Sequence, residues 1–267
     1  MRIFNPITSV RGIDPNNLFV VENDKRQEMG KGYIFTFVRD ELFPNQPLQL
    51  YIDIQAEKSV YNLLYGALIA RADVLRSQYP NIPARLYTKL NVNDTDKMNF
   101  FLQKGLQKDD AEDVYSISLH EWMSVSIPNS LQYHLIPLNS MENENMFLRR
   151  MNRMCIGKIS QKTFSNWKRE ENFLALGFYQ NGTPVTELII KGEGRRAELV
   201  IVYTHHQFRQ RGYAKALLRI AINELMKRNV TQLNANVLRR HIPQVELIKS
   251  MKGVQVATSA LMPGMDF

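Results

Sequence analysis

The sequence predicts an α/β fold arranged as two successive domains, residues 1–128 and 129–267. Three observations carry this. A length of 267 residues is long for one compact domain and comfortable for two. Apolar residues alternate with period two in some stretches and recur every three or four residues in others. The order strand, long helix, strand, helix, strand then occurs twice along the chain. With 44% hydrophobic and 10% aromatic residues, the chain can bury a sizeable core and is not disordered.

In the first half PLQLYIDIQ (47–55) alternates as a strand and ends near Ala56. EKSVYNLLYGALIARADVLRSQY follows as a helix, with Val60, Leu63, Leu64, Ala67 and Leu68 at helical spacing and Pro80 and Pro83 closing it. ARLYTKLNV (84–92) is a strand, Asp94 caps the helix in DTDKMNFFLQKG, and DVYSISL (113–119) is a further strand. SIPNS (126–130) interrupts the periodicity and marks the boundary.

The second half opens with YHLIPL and a helix around MENENMFLRRMNRM. Two strands, NFLALGFYQ and TPVTELIIK, are joined by the turn signal Asn181-Gly182. AELVIVYT (197–204) is a strand, and GYAKALLRIAINELMKRN (212–229) is a helix with Ala216, Leu217, Ile220 and Leu225 on one side. TQLNANV (231–237) is a strand, HIPQVELIKSMKG (241–253) a helix with Pro in its first turn, and VQVATSALM a last strand. Met141, Met146, Met151 and Met154 fall near helical spacing and read as core filler.

The net charge of +8 is unevenly spread. Residues 1–130 carry 14 basic and 16 acidic side chains, net −2, whereas residues 131–267 carry 20 and 10, net +10. Such a surplus suits an anionic partner, either nucleic acid or a phosphorylated small molecule. The chain lacks a recognised DNA- or RNA-binding motif and a run of basic residues interleaved with aromatics, which argues against nucleic acid. A lone cysteine, Cys155, forms no internal disulfide, fits a reducing compartment and reads as a small core thiol. The N-terminal MRIFNPITSV carries no apolar signal region, and no run approaches 18 apolar residues, so no membrane partner is expected. The expected compartment is the cytoplasm.

The chemistry concentrates in YTHHQFRQRGYAKALL (203–218). Where a strand ends and a helix begins, several backbone N–H groups point outward without intrahelical partners, and their summed dipole favours an anion. Gly212 removes the Cβ that would hold a phosphate away from the backbone, and Ala214 keeps the next turn nearly as open. Arg209, Arg211 and Lys215 add charge, the arginines in a fork that can grip phosphate. The stretch is neither a Walker loop nor a three-glycine dinucleotide fingerprint.

VYTHHQFRQRGYAKALL resembles the acyl-CoA-binding motif of the GCN5-related N-acetyltransferase (GNAT) superfamily, Arg/Gln-x-x-Gly-x-Gly/Ala, here Arg209-Gln210-Arg211-Gly212-Tyr213-Ala214. The resemblance covers roughly residues 131–267. It implies a cofactor-binding acetyltransferase domain over 129–267. The repeated element order implies a divergent GNAT-like domain without a cofactor loop over 1–128, since QAEKSVYN (55–62) has no glycine at the matching turn. The implied fold is α+β: tandem domains, each a mixed, mainly antiparallel sheet flanked by helices.

On this resemblance acetyl-CoA is the co-substrate and an amine the acceptor. Val202, Tyr203 and Thr204 would splay from the neighbouring strand and bond the pantetheine arm through backbone groups. Arg209, Gln210, Arg211, Gly212, Tyr213 and Ala214 would cradle the pyrophosphate, with Arg211 and Lys215 meeting the outer phosphates. Family members often use a glutamate base and a tyrosine acid four residues before a glycine near the last helix end. Here Lys249 precedes Gly253 at that spacing, and Phe101 precedes Gly105, so the usual phenol is absent. Tyr203 or Tyr179 is the candidate acid, and Glu198 and Glu187 are the candidate bases. Trp167 falls in a region that often lines the acceptor pocket.

No metal site is expected. His205 and His206 are adjacent and would point opposite ways on an extended strand, and no carboxylate pair stands at ligand spacing. Arg195-Arg196 and Arg239-Arg240 read as solvated charge at element ends, or, in a CoA-binding enzyme, as pairs that steer the cofactor's phosphates. The short C-terminal PGMDF leaves little chain for the last hairpin of this fold, so a strand would come from the other half or from a partner chain in a homodimer. The alternative to an enzyme is a non-catalytic CoA-sensing or nucleic-acid-binding module that retains the fold.

Overall fold

The computed structural model describes residues 1–9, 12–154 and 159–267, so Cys155 lies outside the described residues. In chain order the strands and helices are β1 (Arg2–Phe4), β2 (Leu18–Glu22), β3 (Glu28–Val38), β4 (Leu48–Ala56), α1 (Tyr61–Ser77), β5 (Ala84–Tyr87), α2 (Thr95–Gln103) and β6 (Ala111–Ser118). There follow β7 (Gln132–Leu135), α3 (Met141–Arg153), α4 (Gln161–Trp167), β8 (Leu174–Gln180), β9 (Thr183–Glu193), β10 (Arg196–Thr204), α5 (Tyr213–Lys227), β11 (Gln232–Leu238), α6 (Ile242–Ser250), β12 (Val254–Leu261) and β13 (Gly264–Asp266). The fold is the mixed α/β class expected from the sequence.

The chain divides into two compact units, residues 1–111 with 260–267, and residues 112–259. The break therefore falls ahead of 128, the sequence boundary, and the last eight residues belong to the first unit. Ladder pairing decides this. β6, read from sequence as the close of the first half, pairs antiparallel with β11 from Ser118↔Gln232 to Glu112↔Leu238. β13 pairs antiparallel with β5 from Gly264↔Tyr87 to Asp266↔Arg85. Each pairing gives a strand edge the ladder bonds it would otherwise have to find in water.

Unit 1 is a six-stranded sheet in the order β1-β2-β3-β4-β5-β13. Alternation along β4 sends Leu48, Leu50, Ile52 and Ile54 into a core completed by Leu64 and Leu68 of α1 and Met98 and Phe101 of α2. α2 starts where the sequence places it, with the Asp94 carboxylate accepting from the Lys97 amide at 3.1 Å. Leu63, counted on the apolar face of α1, is instead 40% exposed.

Unit 2 is a seven-stranded sheet in the order β12-β6-β11-β10-β9-β8-β7. Asn181 and Gly182 both take positive φ, 49° and 75°, as a two-residue hairpin between β8 and β9 requires. One face of the sheet packs on α5 and α6 through Leu217, Leu218, Ile222, Val245 and Ile248. The other packs on α3 and α4 through Phe147, Met151 and Phe164. Of the four methionines read as core filler, Met151 is buried, whereas Met141 and Met146 are exposed, because α3 turns them away from the sheet. Arg239, read as solvated, is bound at 2.9 Å through both Nε and a terminal nitrogen to the buried Asp113, which also accepts the Thr258 hydroxyl at 2.7 Å. Burial alone would raise the Asp113 carboxyl, but these bonds hold it below its ordinary value.

Candidate active site

The site grows from a break in one ladder. β10 and β11 pair in parallel from Arg196↔Gln232 only as far as Leu199↔Ala235. Opposite β9, the register of β10 shifts between Leu199 and Ile201, a bulge that bends the strand at the same point. Beyond it β10 runs on to Thr204 alongside β9 alone, so a wedge opens between β10 and β11. The His205 amide donates to the Val185 carbonyl at 2.9 Å. Antiparallel alternation then turns the Tyr203 backbone toward β9 and the N–H and C=O of Val202 and Thr204 toward the wedge.

The chain leaves the wedge through a short 3-10 turn, His206–Phe208, and enters α5. Gln210 and Gly212 both adopt left-handed φ, 62° and 77°, on either side of Arg211. Gln210 takes a conformation that side chains avoid, so the neighbouring contacts must hold the loop. Arg209 supplies one, its Nε donating to the Thr204 carbonyl at 3.1 Å. Arg211 supplies another, donating to the Gln207 carbonyl at 3.3 Å with its guanidinium 5.6 Å from the Phe208 ring centre. Gly212 is the N-cap of α5 and no side chain caps it. A Cβ built there meets nothing within 4 Å, so open space lies over the helix start, as an anion cradle needs. Tyr213, Ala214 and Lys215 form the first turn, half-buried. A pyrophosphate fits these residues: amide donors, open space and three basic side chains.

The rings of His205 and His206 lie 4.5 Å apart, centre to centre, rather than pointing opposite ways, because the 3-10 turn starts at His206. The His205 Nδ1 is buried without a hydrogen-bond partner. Among the described residues no group of three His, Cys, Asp or Glu side chains could hold a metal ion.

On the α3 face of the wedge strand lies a cluster around Glu187. It sits on β9 opposite Tyr203 and is fully buried. Arg150 of α3 grips it through Nε (3.0 Å) and a terminal nitrogen (2.8 Å), and the hydroxyls of Tyr179 (2.8 Å) and Tyr203 (2.9 Å) donate to it. Four donors occupy both carboxylate oxygens. Burial, with the adjacent Glu187 charge, pushes both phenols well above their ordinary pKa, so both stay protonated. The hydrogen bonds that Arg150 donates to Glu187 likewise raise Arg150 further. Gly177, opposite Glu187, makes room: a Cβ there would come within 2.6 Å of the Tyr179 ring.

Of the sequence candidates, the structure thus brings Glu187, Tyr203 and Tyr179 together. Glu198 stands apart, five residues up β10, half-exposed and paired with Lys191 at 3.1 Å. Lys249 is exposed and pairs with Glu246 at 3.5 Å, and Phe101 is core. Trp167 ends α4 beneath the Lys191 ammonium, 5.5 Å from its ring centre. Arg150 was missed. Its signal was helical spacing, since it lies three residues after the buried Phe147 and one before the buried Met151.

Residues 139–251 match the model of the acetyltransferase (GNAT) family. This segment is a GNAT-family domain. No curated protein matches the sequence. Among solved structures, a GCN5-related N-acetyltransferase from Sphaerobacter thermophilus is 12% identical, with a TM-score of 0.52 over 96% of this chain and 82% of that one. One from Anabaena variabilis is 11% identical, with a TM-score of 0.57 over 95% of this chain and 63% of its own. A probable N-acyltransferase from Enterococcus faecalis is also 11% identical, with a TM-score of 0.57 over 93% and 61%. At these identities the likeness is one of fold. It extends past the GNAT domain over more than nine tenths of the chain, and so takes in both units.

Proposed function

We propose that unit 2 transfers an acetyl group from acetyl-CoA to an amine. The observation that carries this is the β10/β11 wedge leading directly into the open, basic start of α5 at Gly212. Bound there, the co-substrate supplies a thioester carbonyl and a thiol leaving group. The backbone of Val202 and Thr204 binds the pantetheine arm, and the first-turn amides of α5 with Arg209, Arg211 and Lys215 bind the phosphates.

Glu187 in this reading is a positioning residue. With four donors on its carboxylate it has no lone pair left to take a proton from an amine, and it instead fixes where the Tyr203 and Tyr179 hydroxyls point. Tyr203, on the wedge strand itself, turns its one hydroxyl hydrogen from Glu187 to the departing sulfur and gives up that proton as the C–S bond breaks. The amine forms the new C–N bond and loses its proton to water, which reprotonates the phenolate. The exposed, ion-paired Lys249 in place of the usual phenol favours a second reading, a module that binds CoA without turning it over.

Calorimetric titration with acetyl-CoA at low and moderate salt tests the binding step. One saturable site per chain is expected. A random oligonucleotide bound in its place, with steep salt dependence, would refute it. Tight binding with no acetylated product across a panel of amines would select the second reading.

A further inference from the structure

Unit 1 has its own side-chain cluster, on the sheet face away from α1 and α2. Tyr33 and Phe35 of β3 stand opposite Asp53 and Tyr51 of β4, and Tyr51 stands opposite Tyr87 of β5. The rings form a ladder: Tyr33–Phe35 at 5.4 Å edge-on, Phe35–Tyr51 stacked at 6.4 Å, Tyr33–Tyr51 at 6.3 Å and Tyr51–Tyr87 at 5.4 Å. Phe35 is 39% exposed, and Tyr33, Tyr51 and Asp53 are half-buried.

Asp53 accepts from the Gln55 amide at 2.8 Å. Among the described residues no cationic side chain forms an ion pair with it. Lys31, two residues from Tyr33 on the same face, is paired with Glu28 at 3.7 Å. A half-buried carboxylate beside π faces, with no cation of its own, attracts one from outside. Burial, with the Asp53 charge beside it, pushes the Tyr51 phenol up to about 12.

The other end of the ladder shows what this pairing holds. There the Arg85 guanidinium lies 5.1 Å from the Tyr87 ring centre and bonds Asp109 at 2.6 Å. Ring, cation and carboxylate are all supplied by the chain at that end. At the Asp53 end it supplies only ring and carboxylate.

We propose that this face binds a small organic cation, an alkylammonium or guanidinium group, with Asp53 as counter-ion and Tyr33, Phe35 and Tyr51 as its walls. The proposal is independent of acyl transfer. Its test is calorimetry on the full chain with choline, n-butylammonium and methylguanidinium, beside 3,3-dimethylbutan-1-ol, the neutral isostere of choline. At least one cation should saturate below about 10 mM, with the isostere about tenfold weaker where choline is the cation bound. Asp53→Asn should weaken the cation by about tenfold or more, and the exposed Phe35→Ala by a few-fold with unchanged thermal unfolding. Absence of saturation by all three cations would overturn the proposal, as would equal binding of choline and its isostere. So would wild-type affinity in Phe35→Ala, which keeps the test decisive if Asp53→Asn does not fold. Binding lost in Tyr203→Phe but kept in both unit 1 variants would place the cation in unit 2 and also refute it.

Discussion

Replacing Arg150 by alanine strips Glu187 of two of its four donors. Glu187 has no solvent exposure and the Arg150 side chain keeps 31% of its own, so the pair is buried at one end and wetted at the other. Breaking a fully buried ion pair costs about 3–5 kcal/mol, and each hydrogen bond to a charged group is worth about 1.5–3 kcal/mol. Water entering along the vacated side chain can meet part of the carboxylate's demand, which lowers the expected cost to about 2–4 kcal/mol. Both tryptophans, Trp122 and Trp167, lie in unit 2, so their fluorescence follows the unit that holds the pair. Denaturant unfolding followed by that signal should show a lower midpoint with an unchanged slope. Glu187→Gln should cost less, because Arg150 can turn to solvent, and the double variant should be less than additive. A loss below about 0.5 kcal/mol for Arg150→Ala would refute the reasoning that the buried Glu187 carboxylate depends on Arg150 for half of its hydrogen bonds.

Gly212→Glu should weaken acetyl-CoA by about 10- to 100-fold in calorimetry, since a carboxylate near two phosphate charges costs about 1 kcal/mol or more per pair. Gly212→Ala should bind within a few-fold, losing only about 1–2 kcal/mol of stability to the left-handed backbone. Tyr203→Phe should cut product formation by about tenfold or more with acetyl-CoA affinity unchanged, read from initial rates. Asp113 has its folded pKa depressed, so its contribution is present above the unfolded value of 3.8 and is lost as pH falls through the folded one. Thermal scans between about pH 6 and pH 3 should therefore show a fall in Tm that is shallower in Asp113→Asn.

Period-two and period-3.6 patterns located most strands and helices of residues 47–267, because those patterns record which face is buried. Asp94 and Asn181-Gly182 were legible for a local reason, a cap and a turn that each need a particular residue. The partners of β6 and β13 were not legible. Alternation marks a strand without naming its neighbour, and both pairings span more than a hundred residues. The Gly212 turn could be read because its chemistry is contiguous in sequence. The Glu187 cluster could be read only in part, since its members come from α3, β8, β9 and β10 and meet only after the sheet has formed. Arg150 has basic neighbours, Arg149 and Arg153, and nothing but helical phase distinguishes it.

The return of residues 260–267 to the first unit has a consequence for biosynthesis. A ribosome delivers residues 1–111, then all 148 residues of 112–259, before the strand that completes the first sheet emerges. Until then the outer edge of β5 carries unmatched amides and carbonyls, and Arg76 lacks its bond to the Phe267 carbonyl. The nascent first unit is thus an unfinished template for many seconds at ordinary elongation rates. During that interval a chaperone, or a misplaced strand from another chain, has its one clear opportunity.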